Sequence, residues 1–353
     1  MTKRDQFWQA VRGVCIICVV LIHCKNGLGY QSSAEQGYFF DYWLVMRQLI
    51  NFPVAVFLFL AGYFTKIDVA EREPFSYISS RGRRLLVPFL VWSSLYTLAN
   101  VVRSPQSFDA LKITVKLLLG LSAGPLYFML VLMQLTVLTP FLIKVIRQQR
   151  WARVLFLLTP FYLIGLYSYT LIKGEQLPFY QTFFPAWFVF YYGGLWIKIR
   201  GFRPIFKKDF QIIKSVVLCL ACLAFSILEA YWLVGQGFGA GFASSQIKAS
   251  SFLYTYSIIH LLFVIRPYLA HMKVQPLSIL GDYSFGIYFV HVAWIAVSTK
   301  LVHLIPEANM LPVYQFFQLV FVLFFSLASI FLGRKILGPK LAEQLLDQVH
   351  KCV

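Results

Sequence analysis

The sequence predicts an all-α, polytopic integral membrane protein. Composition is the first observation: 59% of the 353 residues are hydrophobic and 13% charged, against roughly a quarter charged in soluble domains. The second is arrangement, because the apolar residues gather in runs of about twenty, the length a helix needs to cross a bilayer. The third is charge. Thirty-two Lys and Arg against 14 Asp and Glu give a net charge of +18, which on a soluble fold would raise nucleic acid as a partner. A DNA-binding face needs those cations clustered on a water-exposed surface. Here they are divided among separate short loops, so no nucleic acid is expected.

Taken in order, the apolar runs predict spans near 8–29, 40–64, 85–102, 125–143, 154–172, 183–199, 211–234, 249–266, 283–299 and 312–333, about ten transmembrane helices. The first begins like a signal peptide, with Lys3 and Arg4 before the run Val14 to Ile22. A cleavage site wants small residues ahead of the cut. Leu21, Ile22 and His23 stand there instead, so the segment reads as an uncleaved span and Cys24 not as a lipidated cysteine. An even count puts both termini on one side. Placing them in the cytoplasm collects 24 of the 32 basic residues on that face, as the positive-inside rule requires; the other eight (Lys25, Arg47, Arg103, Lys112, Lys116, Lys173, Lys248, Lys300) are spread thinly outside. The expectation is one multi-pass domain, residues 1–353, in the cell (cytoplasmic) membrane, with no separate soluble domain.

The connecting segments are short. Within 103–124, Leu111, Val115, Leu118 and Leu119 share a helical face, which predicts an interfacial helix. The stretch from Gly235 to Gly241 is glycine-rich but lacks the Lys-Ser/Thr ending of a phosphate-binding loop, so it reads as an external turn. Cys15-Ile-Ile-Cys18 and Cys219-Leu-Ala-Cys222 formally make a two-CxxC zinc pattern. Both lie mid-span among Val, Leu and Ile without polar support for a metal; buried thiols are the reading, and no metal is expected. No internal repeat points to an inverted-repeat transporter.

Ionisable groups inside spans are costly and are functional candidates by default. Arg12 and His23 are eleven residues apart, three helical turns plus roughly 20°, so they share one face about 16 Å apart along the axis. Arg12 would sit at the cytoplasmic mouth as a phosphate-binding cation, and His23 deeper as a proton-handling imidazole. Each also has a plain reading, a snorkelling anchor for Arg12 and an interhelical hydrogen bond for His23. Arg81-Gly-Arg83-Arg84 adds a second basic group, in which Arg81 and Arg84, three apart on an incipient helix, can fork onto one polyanion. Glu229, a lone acid in the seventh span, is expected either to orient a histidine, to accept from a substrate hydroxyl, or simply to be solvated. His260 and His303 read as packing or interface residues.

These residues, with several motifs, resemble the integral-membrane acyltransferase 3 family, whose members acylate surface glycans and related acceptors. The resemblance runs through nearly the whole chain: Arg12 followed by ten residues and His23; Phe57-Leu-Phe-Leu-Ala-Gly62-Tyr63-Phe64; Arg81-Gly-Arg-Arg84-Leu-Leu-Val-Pro88-Phe-Leu-Val-Trp92; Gly124-Pro125-Leu126-Tyr127-Phe128; Gly193-Gly194; and Gly281-Asp-Tyr-Ser284-Phe-Gly-Ile-Tyr288-Phe-Val-His291. It implies a ten-helix catalytic bundle with an essential histidine at His23 and arginines at Arg12, Arg81 and Arg84. It also adds His291, which the residues alone mark only as a core or interface histidine. Tyr127 departs from the family pattern, standing where many relatives carry Trp.

The function this implies is O-acyl transfer from a coenzyme A thioester, acetyl-CoA in the first instance, to a hydroxyl of a cell-surface polysaccharide or lipid-linked sugar. Arg12, Arg81 and Arg84 would hold the phosphates of coenzyme A. His23 would act as general base or as transient acyl carrier, with His291 and Glu229 in support. A succinyl donor is the variant within this reading. A glycan or solute transporter or flippase is the rival class.

Overall fold

The computed structural model describes residues 5–24, 38–103, 109–148, 150–207, 209–269, 274–302 and 313–346. Lys3, Arg4, Lys25, His303, Cys352 and the end of the first expected span lie outside them. Among the described residues the chain is helical and carries no strand. The helices are α1 (Gln6–His23), α2 (Tyr38–Leu49), α3 (Pro53–Tyr63), α4 (Ile67–Arg72), α5 (Pro74–Arg103), α6 (Ala110–Leu118), α7 (Tyr127–Gln148), α8 (Leu158–Lys173), α9 (Phe188–Arg200), α10 (Gln211–Gly235), α11 (Ala240–Ala243), α12 (Ala249–Leu269), α13 (Gln275–Asp282), α14 (Ser284–Val302) and α15 (Val313–Leu345). Short 3-10 segments cover Gly124–Leu126, Arg150–Leu157 and Phe184–Ala186.

Nine segments of the described residues are long and apolar enough to cross a membrane, from Gln6–His23 to Tyr314–Gly338. They coincide with nine of the ten expected spans. The sixth expected span forms the 13-residue α9, about 20 Å long at 1.5 Å per residue and short of the roughly 30 Å hydrocarbon layer. It is nonetheless parallel to α7. Gln134 binds Thr182 and Phe184 just before α9, donating at 2.9 Å and accepting at 2.9 Å, while Arg200 at its other end donates to the carbonyls of Ile146 and Arg147. So α9 carries the chain from the level of Gln134 to that of Arg147, and its run from Phe188 to Leu195 is buried in protein.

The chain divides into two compact units, one of Met1–Phe57, Leu171–Gln176 and Phe202–Ser329 and one of Leu58–Thr170, Leu177–Gly201 and Ile330–Val353. In the first, Asp5 caps α1 by accepting from Trp8 N–H at 3.4 Å and pairs with Arg266 at the end of α12 at 2.6 Å. Helices in lipid gain little from hydrophobicity against one another, so small residues that let backbones meet decide where they pack. Gly13 and Gly281 do this for α1 and α13: a Cβ on either would fall about 2 Å from the partner helix, at Leu277 O and Gln9 O respectively.

The second unit has its own version. Gly62 of α3 and Gly194 of α9 admit the backbones of Tyr191 and Phe59 at 2.2 Å and 2.1 Å from an added Cβ. The Tyr127 ring stacks on Trp187 with centroids 6.0 Å apart. Glu71 pairs with Arg147 at 3.0 Å. The expected interfacial helix is α6, and its apolar face is uncovered, with Leu111 75% and Leu118 57% exposed, as suits a helix lying in a headgroup layer.

Candidate active site

His23 occupies the last turn of α1, where carbonyls run out of intrahelical partners. Two side chains from elsewhere in the first unit take them up. Arg47 of α2 donates from Nη1 to Ile22 O at 3.4 Å and from Nη2 to Ser244 O at 3.2 Å. Gln315 of α15 donates to Cys24 O at 3.1 Å and accepts from the Tyr42 hydroxyl at 3.2 Å. The peptide carbonyls on both sides of His23 are therefore clamped, fixing the point from which its half-buried ring projects.

The ring beside His23 is His291 of α14, with centroids 5.4 Å apart and planes at 47°. His291 is fully buried, its Nδ1 lies 3.0 Å from Ile287 O one turn back, and its Nε2 has no hydrogen-bond partner among the described residues. Seven residues before it, Ser284 Oγ accepts from Arg12 Nη2 at 3.0 Å. Arg12 also lies 3.5 Å from Gln9 Oε1. The Gly281–His291 block thus meets the first helix where Gly281 packs on its backbone, where Ser284 meets Arg12 and where His291 faces His23. These two halves of the expected site are brought together.

Glu229 sits in a polar cluster of the first unit. Its side chain is only 10% exposed, which removes simple solvation, and its Oε2 accepts from Ser250 N–H at 3.1 Å, from the Ser250 hydroxyl and from Lys248 Nζ at 3.5 Å. Lys248 is fully buried and also donates to Ser226 O, Ser226 Oγ and Ser250 Oγ at 2.9–3.0 Å. Ser226 continues the chain of bonds to Gln48 at 3.0 Å, and Gln48 and Asn51 donate to the carbonyls of Ala243, Ser244 and Ser245. Glu229 and Lys248 anchor the segment after the glycine-rich turn, which Arg47 ties to the carbonyl of Ile22, next to His23. His260 is a packing residue as expected: its Nε2 accepts from Ile205 N–H at 3.0 Å and its Nδ1 is 3.3 Å from Ser215 Oγ.

Arg81 and Arg84 belong to the second unit, within α5. Arg81 is engaged internally, donating to Thr65 Oγ1 at 3.2 Å, Tyr77 OH at 2.9 Å and Ala61 O at 3.1 Å. Arg84 is exposed. The two arginines that spacing treats alike thus differ in burial, Arg81 holding α5 against the end of α3 and Arg84 being exposed. Arg47 and Gln315 are the positioning residues that sequence reading missed. A lone Arg in the second span was a signal for Arg47; Gln315 gave none.

Comparison with known proteins agrees with the motif reading. The sequence profile of the acyltransferase 3 family, described as an acyltransferase domain, matches residues 5–332. The chain is 23% identical over 317 residues to the putative membrane-bound acyltransferase YfiQ of Bacillus subtilis, covering 84% of this chain and 83% of that protein. It is 21% identical over 292 residues to a probable poly-beta-1,6-N-acetyl-D-glucosamine export protein of Staphylococcus aureus, covering 78% of this chain and 79% of that one. No solved structure matches. The motifs from Arg12 to His291, the helical membrane fold and the profile match place this chain in the acyltransferase 3 family, as a multi-pass membrane acyltransferase.

Proposed function

We propose that the protein transfers an acetyl group from cytoplasmic acetyl-CoA to a hydroxyl of a cell-surface polysaccharide or lipid-linked sugar, in the cytoplasmic membrane with both termini inside. The observation that carries this reading is His23, held by carbonyl clamps on both sides and facing His291. An imidazole so fixed suits the proton handling or acyl carriage that thioester transfer needs. Arg12, Arg81 and Arg84 are each assigned to the phosphates of coenzyme A, since guanidinium forks match phosphate oxygens better than ammonium groups do. Glu229 acts at a remove, by anchoring the segment to which Arg47 is bonded. A sugar acceptor is supported by the Staphylococcus aureus relatives, named for an N-acetyl-glucosamine polymer.

Those relatives are named as export proteins, which favours a second reading, movement of a glycan across the membrane. The two differ in product, because a carrier leaves its cargo unmodified. Membranes holding the wild type or His23→Ala at equal protein level are given labelled acetyl-CoA and glycan. Label in the glycan with wild type alone is the expected result; label with both removes His23 from the chemistry, and an unmodified but translocated glycan favours export. Succinyl-CoA offered in parallel identifies the donor.

A further inference from the structure

We infer that His291 is a second catalytic imidazole: its Nε2 takes the proton of the incoming hydroxyl, leaving His23 to carry the acyl group. This rests on the acyl-transfer reading above and chooses between the two routes open to His23.

The hydrogen bonds of His291 set its tautomer. A carbonyl oxygen can only accept, so the 3.0 Å contact with Ile287 O places the ring's proton on Nδ1. In the neutral ring Nε2 is then a bare lone pair that can only accept. The bond to Ile287 lies within one turn of α14, so the tautomer is set by the helix that carries the residue and does not depend on what approaches. A buried acceptor left unmet costs about 1–3 kcal/mol, and such groups call for a ligand, a water or a catalytic role. Here the acceptor belongs to a fully buried ring beside His23. A hydroxyl donating to Nε2 at an ordinary O–H···N distance of about 3 Å lies in the immediate neighbourhood of an acyl group borne by His23.

The steps balance. A His23 ring nitrogen attacks the thioester carbonyl, the C–S bond breaks, and the coenzyme A thiolate leaves and takes up the His23 ring proton as a thiol. The hydroxyl oxygen then attacks the acyl carbon while its proton passes to Nε2 of His291. The C–N bond breaks, and the freed His23 nitrogen takes that proton back. The net change is one ester formed and one thioester lost. With His23 as base instead, the hydroxyl's single proton would go to His23 and the His291 lone pair would have no use.

The test uses full-length protein in lipid nanodiscs with acetyl-CoA, comparing wild type, His23→Ala, His291→Leu and His291→Gln at matched thermal stability. Acetylation of the His23 peptide is read by rapid-quench mass spectrometry without acceptor, and transfer is read with glycan present. Wild type is expected to do both and His23→Ala neither. His291→Leu and His291→Gln should acetylate His23 but transfer at least 100-fold more slowly, because the Gln amide oxygen can accept a hydrogen bond but not hold the proton. The inference is overturned if wild type transfers without acetylating His23, or if either His291 variant transfers at the wild-type rate. It is also overturned if both variants lose acetylation together with transfer. Absence of both activities from wild type, with acetyl- and succinyl-CoA alike, sinks the acyl-transfer reading itself and the inference with it.

Discussion

Gly13 of α1 and Leu277 of α13 meet backbone to backbone, so that a Cβ on Gly13 would lie 2.0 Å from the Leu277 carbonyl oxygen and 2.9 Å from its carbon. The obstacle is main chain, which cannot swing aside as the end of a side chain can. Overpacking typically costs about 1–3 kcal/mol, and Gly13→Ala or Gly281→Ala should fall at the upper end of that range. Each is expected to lower the melting temperature of the purified protein by several degrees and to reduce acyl transfer by disturbing α1. Gly82→Ala is the control, since nothing lies within 4 Å of its Cβ position and Gly-to-Ala within a helix stabilises by about 0.5–1 kcal/mol. Equal melting temperatures for Gly13→Ala and Gly82→Ala would refute the close-packing account.

The spans were legible because each is a local property, a run of apolar residues whose length answers to the bilayer. The α9 segment showed the limit: its composition matched a span, but its 13-residue length follows from being sheathed in protein, which a hydropathy run does not reveal. Arg12 and His23 were legible as a pair because they share one helix. Their surroundings were not, since Ser284 reaches Arg12, and Arg47 and Gln315 reach Ile22 and Cys24 on either side of His23, from sequence distances of 272, 25 and 291 residues. Glu229 shows the opposite failure. Its burial with Lys248 depends on a turn joining α10 to α12; from sequence alone Lys248 read as an outer-loop charge and solvation was one of three readings of Glu229.

The proposed orientation can be tested at two exposed positions. In the second unit Arg147, Arg200 and Glu71 gather at one end of α7, and all three fall among the segments assigned to the cytoplasm. Cysteines introduced at Arg150 and at Glu175, in a Cys352→Ser background, should therefore differ toward a membrane-impermeant maleimide on intact cells. Glu175→Cys is expected to label and Arg150→Cys only after permeabilisation. The reverse pattern inverts the topology and puts the phosphate-binding arginines on the wrong side for cytoplasmic coenzyme A.

Arg81 and Arg84 should separate under substitution. Arg84 is exposed, so Arg84→Ala is expected to leave the melting temperature within about 1 °C. A lost charge-assisted hydrogen bond of roughly 1.5–3 kcal/mol should raise the KM for acetyl-CoA by about 10- to 100-fold with kcat little changed, the mark of lost uniform binding. Arg81→Ala removes the donors to Thr65, Tyr77 and Ala61 and should lower stability as well. An Arg84→Ala enzyme with unchanged KM would remove that residue from the phosphate site.

Lys248 gives the pH prediction. Burial holds its ammonium down from 10.5 to about 8, with Glu229 opposing that shift through charge attraction and a hydrogen bond. Its folded value lies below its unfolded one, so between about pH 8 and 10.5 the unfolded chain binds more protons than the folded chain, and the linkage slope is positive. The contribution of this residue to stability should therefore rise with pH across that window and be flat below it. Melting temperatures of wild type and Lys248→Met, measured from pH 6.5 to 10 in one detergent, isolate the effect as their difference. Below pH 8 the variant should be the less stable, because it leaves the Glu229 carboxylate buried without its cation. As pH rises, loss of the charge from Lys248 relieves its own desolvation, so wild type should gain on the variant. A difference that does not change with pH would mean that Lys248 keeps its charge throughout and that burial does not govern its titration.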